Sequence, residues 1–312
     1  MTPLYRSLSL SDLNQLPPGE LFSEIINAKA LDALIDLAVG EDLAARGDIT
    51  TPLLLGADVQ ATAAVVCRQE GILAGAVLLD RIAAKFDPEL KVDVQAADGA
   101  DVFPGDGIAQ LSGSLASILK AERVMLNFVS HLSGVATLTG KYVDAVTGEE
   151  ARIFDTRKTI PGERRLAKYA VRCGGGYCHR IGLHDGVLIK DNHIAHVPLG
   201  DLRRVLDPAI AKARRLNPAP AFVEVEVDTL EQLRAILGAD VDIILLDNMP
   251  PEKVRAAVAL RDELHPSVEL EASGGITLHN VLSIAQTGVD RIAVGALTHS
   301  APAMDVGIDI AP

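Results

Sequence analysis

The 312-residue chain has no long uncharged apolar run; nothing in it approaches the roughly 18 residues that a membrane-spanning helix needs. Its opening stretch, MTPLYRSLSLSDLNQLPPGELF, lacks a basic segment followed by an apolar one, so no secretory signal is expected and the protein reads as cytoplasmic. Blocks of like charge are also missing. With 48% apolar and 23% charged residues, the composition is that of a folded globular protein with room for two cores. Positive charge is scarce: a net charge of -13 excludes a general nucleic-acid binder, because phosphate backbones need a basic surface to release their counterions. Any anionic ligand must find a local basic pocket. Cysteine is scarce too, and Cys67, Cys173 and Cys178 are an odd number without the spacing of common zinc or redox motifs. They read as reduced packing residues.

Residues 1–27 show little periodicity and a break at Pro17, Pro18 and Gly19, so they read as an extension with local structure at most. Leu31, Leu34, Ile35 and Ala38 recur at helical spacing behind Asn27, a plausible cap, whereas GEDLAARGDITTPLL reads as loop and turn. Residues 59–111 mix short strands such as VQATAAVVC and KVDVQA with one helix, which suggests a small α+β domain. From Leu115 to about Val146 apolar residues recur at 3.6 spacing, as in one long or broken helix joining two domains. Beyond Arg152, the runs RIFDT, GVLIKD, FVEVEVD, VDIILLDN, VELEAS and DRIAVGA alternate with helical segments. Such βα units imply a parallel sheet, and too little chain is present for eight of them, so the sheet is an incomplete barrel or an open doubly wound one.

In the strand over 221–228, Glu224, Glu226 and Asp228 share one face and Val225 and Val227 the other. The acids either meet a metal or sugar hydroxyls, or lie on a solvated edge strand. Asp247 closes DIILLD, where parallel strands place their sites, although an aspartate there also serves as a helix cap. Residues 157–193 hold eight basic side chains against three acidic ones, a net +5 that leaves −18 for the rest of the chain. Within that stretch Arg164, Lys168 and Arg172 line one side of a helix, whether solvated or bound to an anion. Arg157, Lys158 and Lys190 close strand runs and belong at the mouth of the sheet. The glycines of CGGGYCHR permit tight turns before His179 and Arg180, and His193 and His196 read as residues that pack the loop or support the site rather than as metal ligands. Ser273, Gly274 and Gly295 follow the last two strands, where barrel loops present backbone N–H groups to phosphate. Arg123, between Leu119 and Leu126 on a partly apolar helical face, is either ion-paired within the chain or offered across a subunit interface.

TRKTIPGERRLAKYAVRCGGGYCHRIGLHDGVLIKDNHI closely resembles the central signature of quinolinate phosphoribosyltransferases. The similarity continues through GEDLAARGDITT, ERVMLNFVSHLSG, VEVEVDTLEQL, ILLDNM, LEASGGI and GVDRIAVGALTHS, covering roughly residues 28–310. The resemblance implies an α/β fold with an N-terminal α+β sandwich domain and an incomplete, open-faced α/β barrel. We expect an extension over 1–27, the sandwich over 28–130, the barrel over 131–295, and a segment over 296–312 packing back on the N-terminal domain.

The resemblance further implies a homodimer or higher homo-oligomer and the reaction of quinolinate with phosphoribosyl pyrophosphate. The products are nicotinic acid mononucleotide, carbon dioxide and pyrophosphate, in de novo NAD biosynthesis. Arg157, His179, Arg180 and Lys190 would surround quinolinate, joined by Arg123 from another subunit. Lys158, Glu226 and Asp247 would hold pyrophosphate, ribose and Mg²⁺, the last on Glu226 and Asp247. Lys190, Glu226 and Asp247 would be catalytic, and Ser273, Gly274 and Gly295 would bind a phosphate. One departure is Cys178, where the family commonly has asparagine or another small polar residue.

Overall fold

The computed structural model describes residues 10–56 and 59–311; residues 1–9 of the expected extension lie outside them. Residues 18–25, read as part of that extension, form the helix Pro18–Ile25, with Leu21 and Ile25 fully buried. The proline pair does not end order here but begins a helix, because proline's fixed φ suits the first helical position. Ring contact between Phe22 and Tyr169, 5.1 Å apart and edge-on, seats this helix against the helix Arg164–Cys173. The helix Ala28–Leu43 starts at Asn27, whose side chain accepts the Ala30 amide at 3.0 Å, and runs on into the GEDL segment that read as loop.

Among the described residues twelve strands follow in chain order: β1 Gln60–Cys67, β2 Gly71–Ile72, β3 Lys91–Val94, β4 Asp101–Val102, β5 Gly107–Ser114, β6 Arg152–Phe154, β7 Val187–Ile189, β8 Val223–Val227, β9 Ile243–Asp247, β10 Glu269–Ser273, β11 Arg291–Ala293 and β12 Val306–Ile310. The antiparallel sheet of the first domain has the order β12-β1-β5-β3, with Ala63 opposite Ile310 and Cys67 opposite Val306. The last described strand therefore pairs with the first. A single unbroken helix, Leu115–Ala145, passes from this domain to the second and crosses the expected boundary at 130/131. Its Gly134 is required by packing: a Cβ there would collide with the Pro302 carbonyl and stand 3.1 Å from Ala303 Cα.

The second sheet has the order β6-β11-β10-β9-β8-β7, and every pairing in it is parallel. Its strands are short valine- and isoleucine-rich runs because helices cover the outside while side chains fill the inside. β8 is buried at every position and paired on both sides, which removes the solvated-edge reading for Glu224 and Glu226, whereas Asp228 just beyond it is exposed. Six parallel strands whose end strands β6 and β7 do not pair with each other, β6 carrying only a bridge from Phe154 to Tyr177, make an open, incomplete α/β barrel. No helix among the described residues is long and apolar enough to cross a membrane.

Candidate active site

Parallel strands all point the same way, so the residues after their C-terminal ends meet at one mouth. Asp155 to Lys158 follow β6, Lys190 follows β7, Asp228 follows β8, Asp247 closes β9, Ser273 closes β10 and Gly295 follows β11. A cleft of roughly 310 Å³ opens there. Of the residues singled out from the sequence, Arg157, Lys158, His179, Arg180, Lys190, Glu226, Asp247 and Ser273 line it, joined by Thr156 and Glu271. Gly274, with φ 89°, adjoins Ser273 without lining the cleft. Gly295 lies beside Lys158, where a Cβ would stand 3.1 Å from Lys158 Cδ and 3.2 Å from His299 Nε2. Arg123 is exposed on the Leu115–Ala145 helix and does not reach the cleft of its own chain.

The floor of the cleft is a buried ion cluster. His179 Nε2 stands 3.0 Å from Glu224 and 3.3 Å from Glu271, both wholly buried. Arg291 donates from Nε to Glu271 at 2.7 Å and lies over the Phe154 ring at 3.6 Å. Burial lowers the proton affinity of His179, but the charges of Glu271 and then Glu224 outweigh it and raise the imidazole above its ordinary value. The Arg180 amide, donating to Nδ1 at 2.8 Å, opposes a second proton, so the secure one sits on Nε2 between the carboxylates. His179, Glu224 and Glu271 come within 4.8 Å of one another, as metal ligands would. Arg291 supplies positive charge beside them, while both Glu224 oxygens and Glu271 Oε1 are buried without a hydrogen-bond partner among the described residues.

The backbone beneath is tied down just as firmly. The buried pair Lys168–Asp155 also takes up the main chain of His179, whose carbonyl accepts from Lys168 Nζ at 3.1 Å and whose amide donates to Asp155 at 2.8 Å. Lys168 therefore does not belong to a solvated basic face. Asn14 grips Cys178 at both main-chain groups, accepting its N–H at 2.8 Å and donating to its carbonyl at 2.9 Å. This holds the segment ahead of His179 by a means independent of the Cys178 side chain.

At the mouth, charges of like sign crowd together. Arg180 is buried, with Nη1 donating to the Gly186 carbonyl at 3.0 Å. Burial, then the neighbouring Arg157 charge, push its proton affinity below the usual arginine value. Arg157 Nε is itself buried without a hydrogen-bond partner among the described residues. Across the mouth, Lys190 Nζ donates to Glu226 at 3.1 Å. Burial, followed by the charges of Asp191 and Asp247, raises the Asp228 carboxyl above the usual range. Arg157 and Arg180 are thus like charges lining one cleft, whereas Asp228 sits among acids just outside its lining.

Glu271 and Thr156 were not assigned from sequence. Glu271 was open to detection, since it shares a strand face with Ser273, the period-2 signal that marked β8. His193 accepts the Lys190 amide at Nδ1, 2.8 Å away, and so caps a short helix, consistent with a packing role.

Comparison with known proteins agrees with this architecture. The model of the quinolinate phosphoribosyl transferase N-terminal domain matches residues 48–133, and that of the C-terminal domain matches residues 135–309. The chain is 45% identical over 278 residues to the nicotinate-nucleotide pyrophosphorylase [carboxylating] of Mycobacterium leprae, covering 88% of this chain and 94% of that one. It is 40% identical over 285 residues to the probable enzyme of the same name from Bacillus subtilis, covering 91% and 95%. The structure of the nicotinate-nucleotide pyrophosphorylase from Francisella tularensis superposes with a TM-score of 0.83 at 36% identity, over 98% of this chain and all of that one. With both domain models matched in order and relatives of this identity aligned over most of their length, the chain belongs to the quinolinate phosphoribosyltransferase family.

Proposed function

We propose that the protein joins quinolinate to phosphoribosyl pyrophosphate and releases pyrophosphate and carbon dioxide, forming nicotinic acid mononucleotide for de novo NAD biosynthesis. The observation that carries this reading is the pair Arg157 and Arg180, two crowded guanidinium groups lining a cleft that Glu226 and Asp247 also line. Two adjacent carboxylates on a pyridine are the complement of such a pair, and each charge-assisted hydrogen bond contributes about 1.5–3 kcal/mol. His179 stiffens the floor under the ring, and Lys190 can exchange Glu226 for a substrate carboxylate. Lys158 and the Ser273–Gly274 and Gly295 turns receive phosphate groups.

Glu226 and Asp247, which line the cleft, offer the hard oxygen donors that Mg²⁺ takes, and this donor set supports them as its holders. When bound, the ion would neutralise charge on the departing pyrophosphate. The chain's own carboxylates stabilise the cationic ribose centre as the pyridine nitrogen attacks C1 and the C1–O bond to pyrophosphate breaks. The quaternised nitrogen then accepts the electron pair left when the adjacent carboxylate departs as carbon dioxide, and a proton from water completes the ring. Arg123, exposed and remote from its own cleft, is proposed to serve the site of a second copy in a homodimer. Three buried free cysteines support work in a reducing compartment, the cytoplasm.

Purified protein given quinolinate, phosphoribosyl pyrophosphate and Mg²⁺ should yield carbon dioxide and pyrophosphate in equal amounts. Nicotinate should be a poor acceptor because it leaves one set of cations unpaired. Efficient nicotinate turnover would overturn the assignment.

A further inference from the structure

The turns after β9 and β10 interlock through Asn248, a residue given no task above. Asn248 has φ 53°, in the left-handed region that L-residues avoid and asparagine tolerates better than most. Its amide donates to the Ser273 carbonyl at 2.8 Å. Its side-chain Nδ2 donates to Asp247 Oδ2, also at 2.8 Å. Its Oδ1 and Cγ occupy the space above Gly274, where a Cβ would collide with Oδ1 and stand 2.6 Å from Cγ. Asp247 and Ser273 are already opposite one another in the β9–β10 register. A turn that needed only a left-handed residue would be served by glycine without strain. The side chain present here instead engages the β9 carboxylate and fills the space over the β10 turn.

We propose that Asn248 is a positioning residue for phosphoribosyl transfer, its side-chain amide fixing the direction of the Asp247 carboxylate and keeping it in step with the Ser273–Gly274 turn. The inference rests on the function proposed above. With Oδ2 held by the amide, Oδ1 is left for a ligand in the cleft that Asp247 lines. Without that hold the carboxylate is free to rotate, and the neighbouring Asp228 gives it no counter-charge.

Two variants separate side chain from backbone. Asn248→Gly keeps the left-handed turn and removes the amide, whereas Asn248→Asp keeps size and turn tolerance but sets a second carboxylate against Asp247. Steady-state kinetics would be measured with each substrate varied in turn. Calorimetry would follow quinolinate alone, and phosphoribosyl pyrophosphate with Mg²⁺ over enzyme holding benzene-1,2-dicarboxylate, which lacks the attacking nitrogen. We expect both variants to raise the phosphoribosyl pyrophosphate KM and Kd by about tenfold or more, Asn248→Asp the further, with quinolinate values within about twofold of wild type. Added to Asp247→Ala, Asn248→Gly should cost no further phosphoribosyl pyrophosphate affinity, since its partner is gone. Unchanged phosphoribosyl pyrophosphate binding in both variants, equal loss for both substrates, or additive losses in the combined variant would each overturn the proposal. A wild-type protein that binds phosphoribosyl pyrophosphate without turning over quinolinate would instead overturn the functional reading, and the calorimetric comparison would still judge Asn248.

Discussion

The floor and the mouth of the barrel use the same kinds of residue to opposite ends. At the floor, His179, Glu224, Glu271 and Arg291 pair positive with negative inside a buried cluster, and Lys168 does the same with Asp155. At the mouth, Arg157 crowds Arg180 and Asp228 crowds Asp191 and Asp247. Charges that satisfy one another give rigidity. Charges that repel hold their energy in reserve for a ligand that brings the missing sign. The difference separates groups that build the site from groups that use it.

Removing a floor charge should give the largest effect. Arg291→Met strands Glu271 in the interior, and loss of one member of a buried pair costs about 3–5 kcal/mol. Urea unfolding measures it; a loss below about 1 kcal/mol would erase the distinction between floor and mouth. Adding Glu271→Gln should recover part of the loss, because position 271 then no longer carries a charge without its guanidinium.

A mouth charge should behave in the reverse way. Arg157→Met is expected to lower kcat/KM for quinolinate by about 10²-fold or more, through lost charge-assisted bonds, while leaving the unfolding midpoint unchanged. If stability fell and turnover survived, Arg157 would belong with the floor.

Whether the mouth is completed from outside the chain can be read from mixed oligomers. Arg123→Ala and Lys190→Ala proteins should each be nearly inactive. After dissociation and equal mixing of a twofold dimer, about half the assemblies are heterodimers with one intact site each, restoring about a quarter of wild-type activity. Native mass spectrometry verifies exchange, and heterodimers without recovered activity would confine Arg123 to its own chain. The smallest expected effect is at the acidic rim, where Asp228→Asn removes one repelling charge and should raise the melting temperature by only about 1 °C in a calorimetric scan. A fall would show that Asp228 has a favourable partner.

The sequence exposed the mouth better than the floor, for a physical reason. Lysine, arginine and aspartate at the ends of apolar strand runs announce themselves because strand direction puts them at one end of the sheet, as with Arg157, Lys190 and Asp247. The alternation in VEVEV likewise showed which residues share a face. What periodicity cannot show is what covers a face. Lys168 shares a four-residue rhythm with Arg164 and Arg172, yet it is fully buried against Asp155. Leu21 and Ile25 make too short a pattern to mark a helix, although a groove in the barrel domain receives it. Asn248 was invisible because its role depends on a backbone angle and on a neighbouring turn.

The pairing of β12 with β1 also orders events during synthesis. Until residues 306–310 have emerged from the ribosome, β1 has one edge of unpaired N–H and C=O groups, and the Pro302 backbone that abuts Gly134 is absent. Of the two domains, the one translated earlier is thus the one completed later, and its sheet spends the translation of the whole barrel with a sticky margin. Such a nascent chain has reason to be shielded by a chaperone, and a ribosome stalled within the barrel would leave a fragment prone to pair with its own kind.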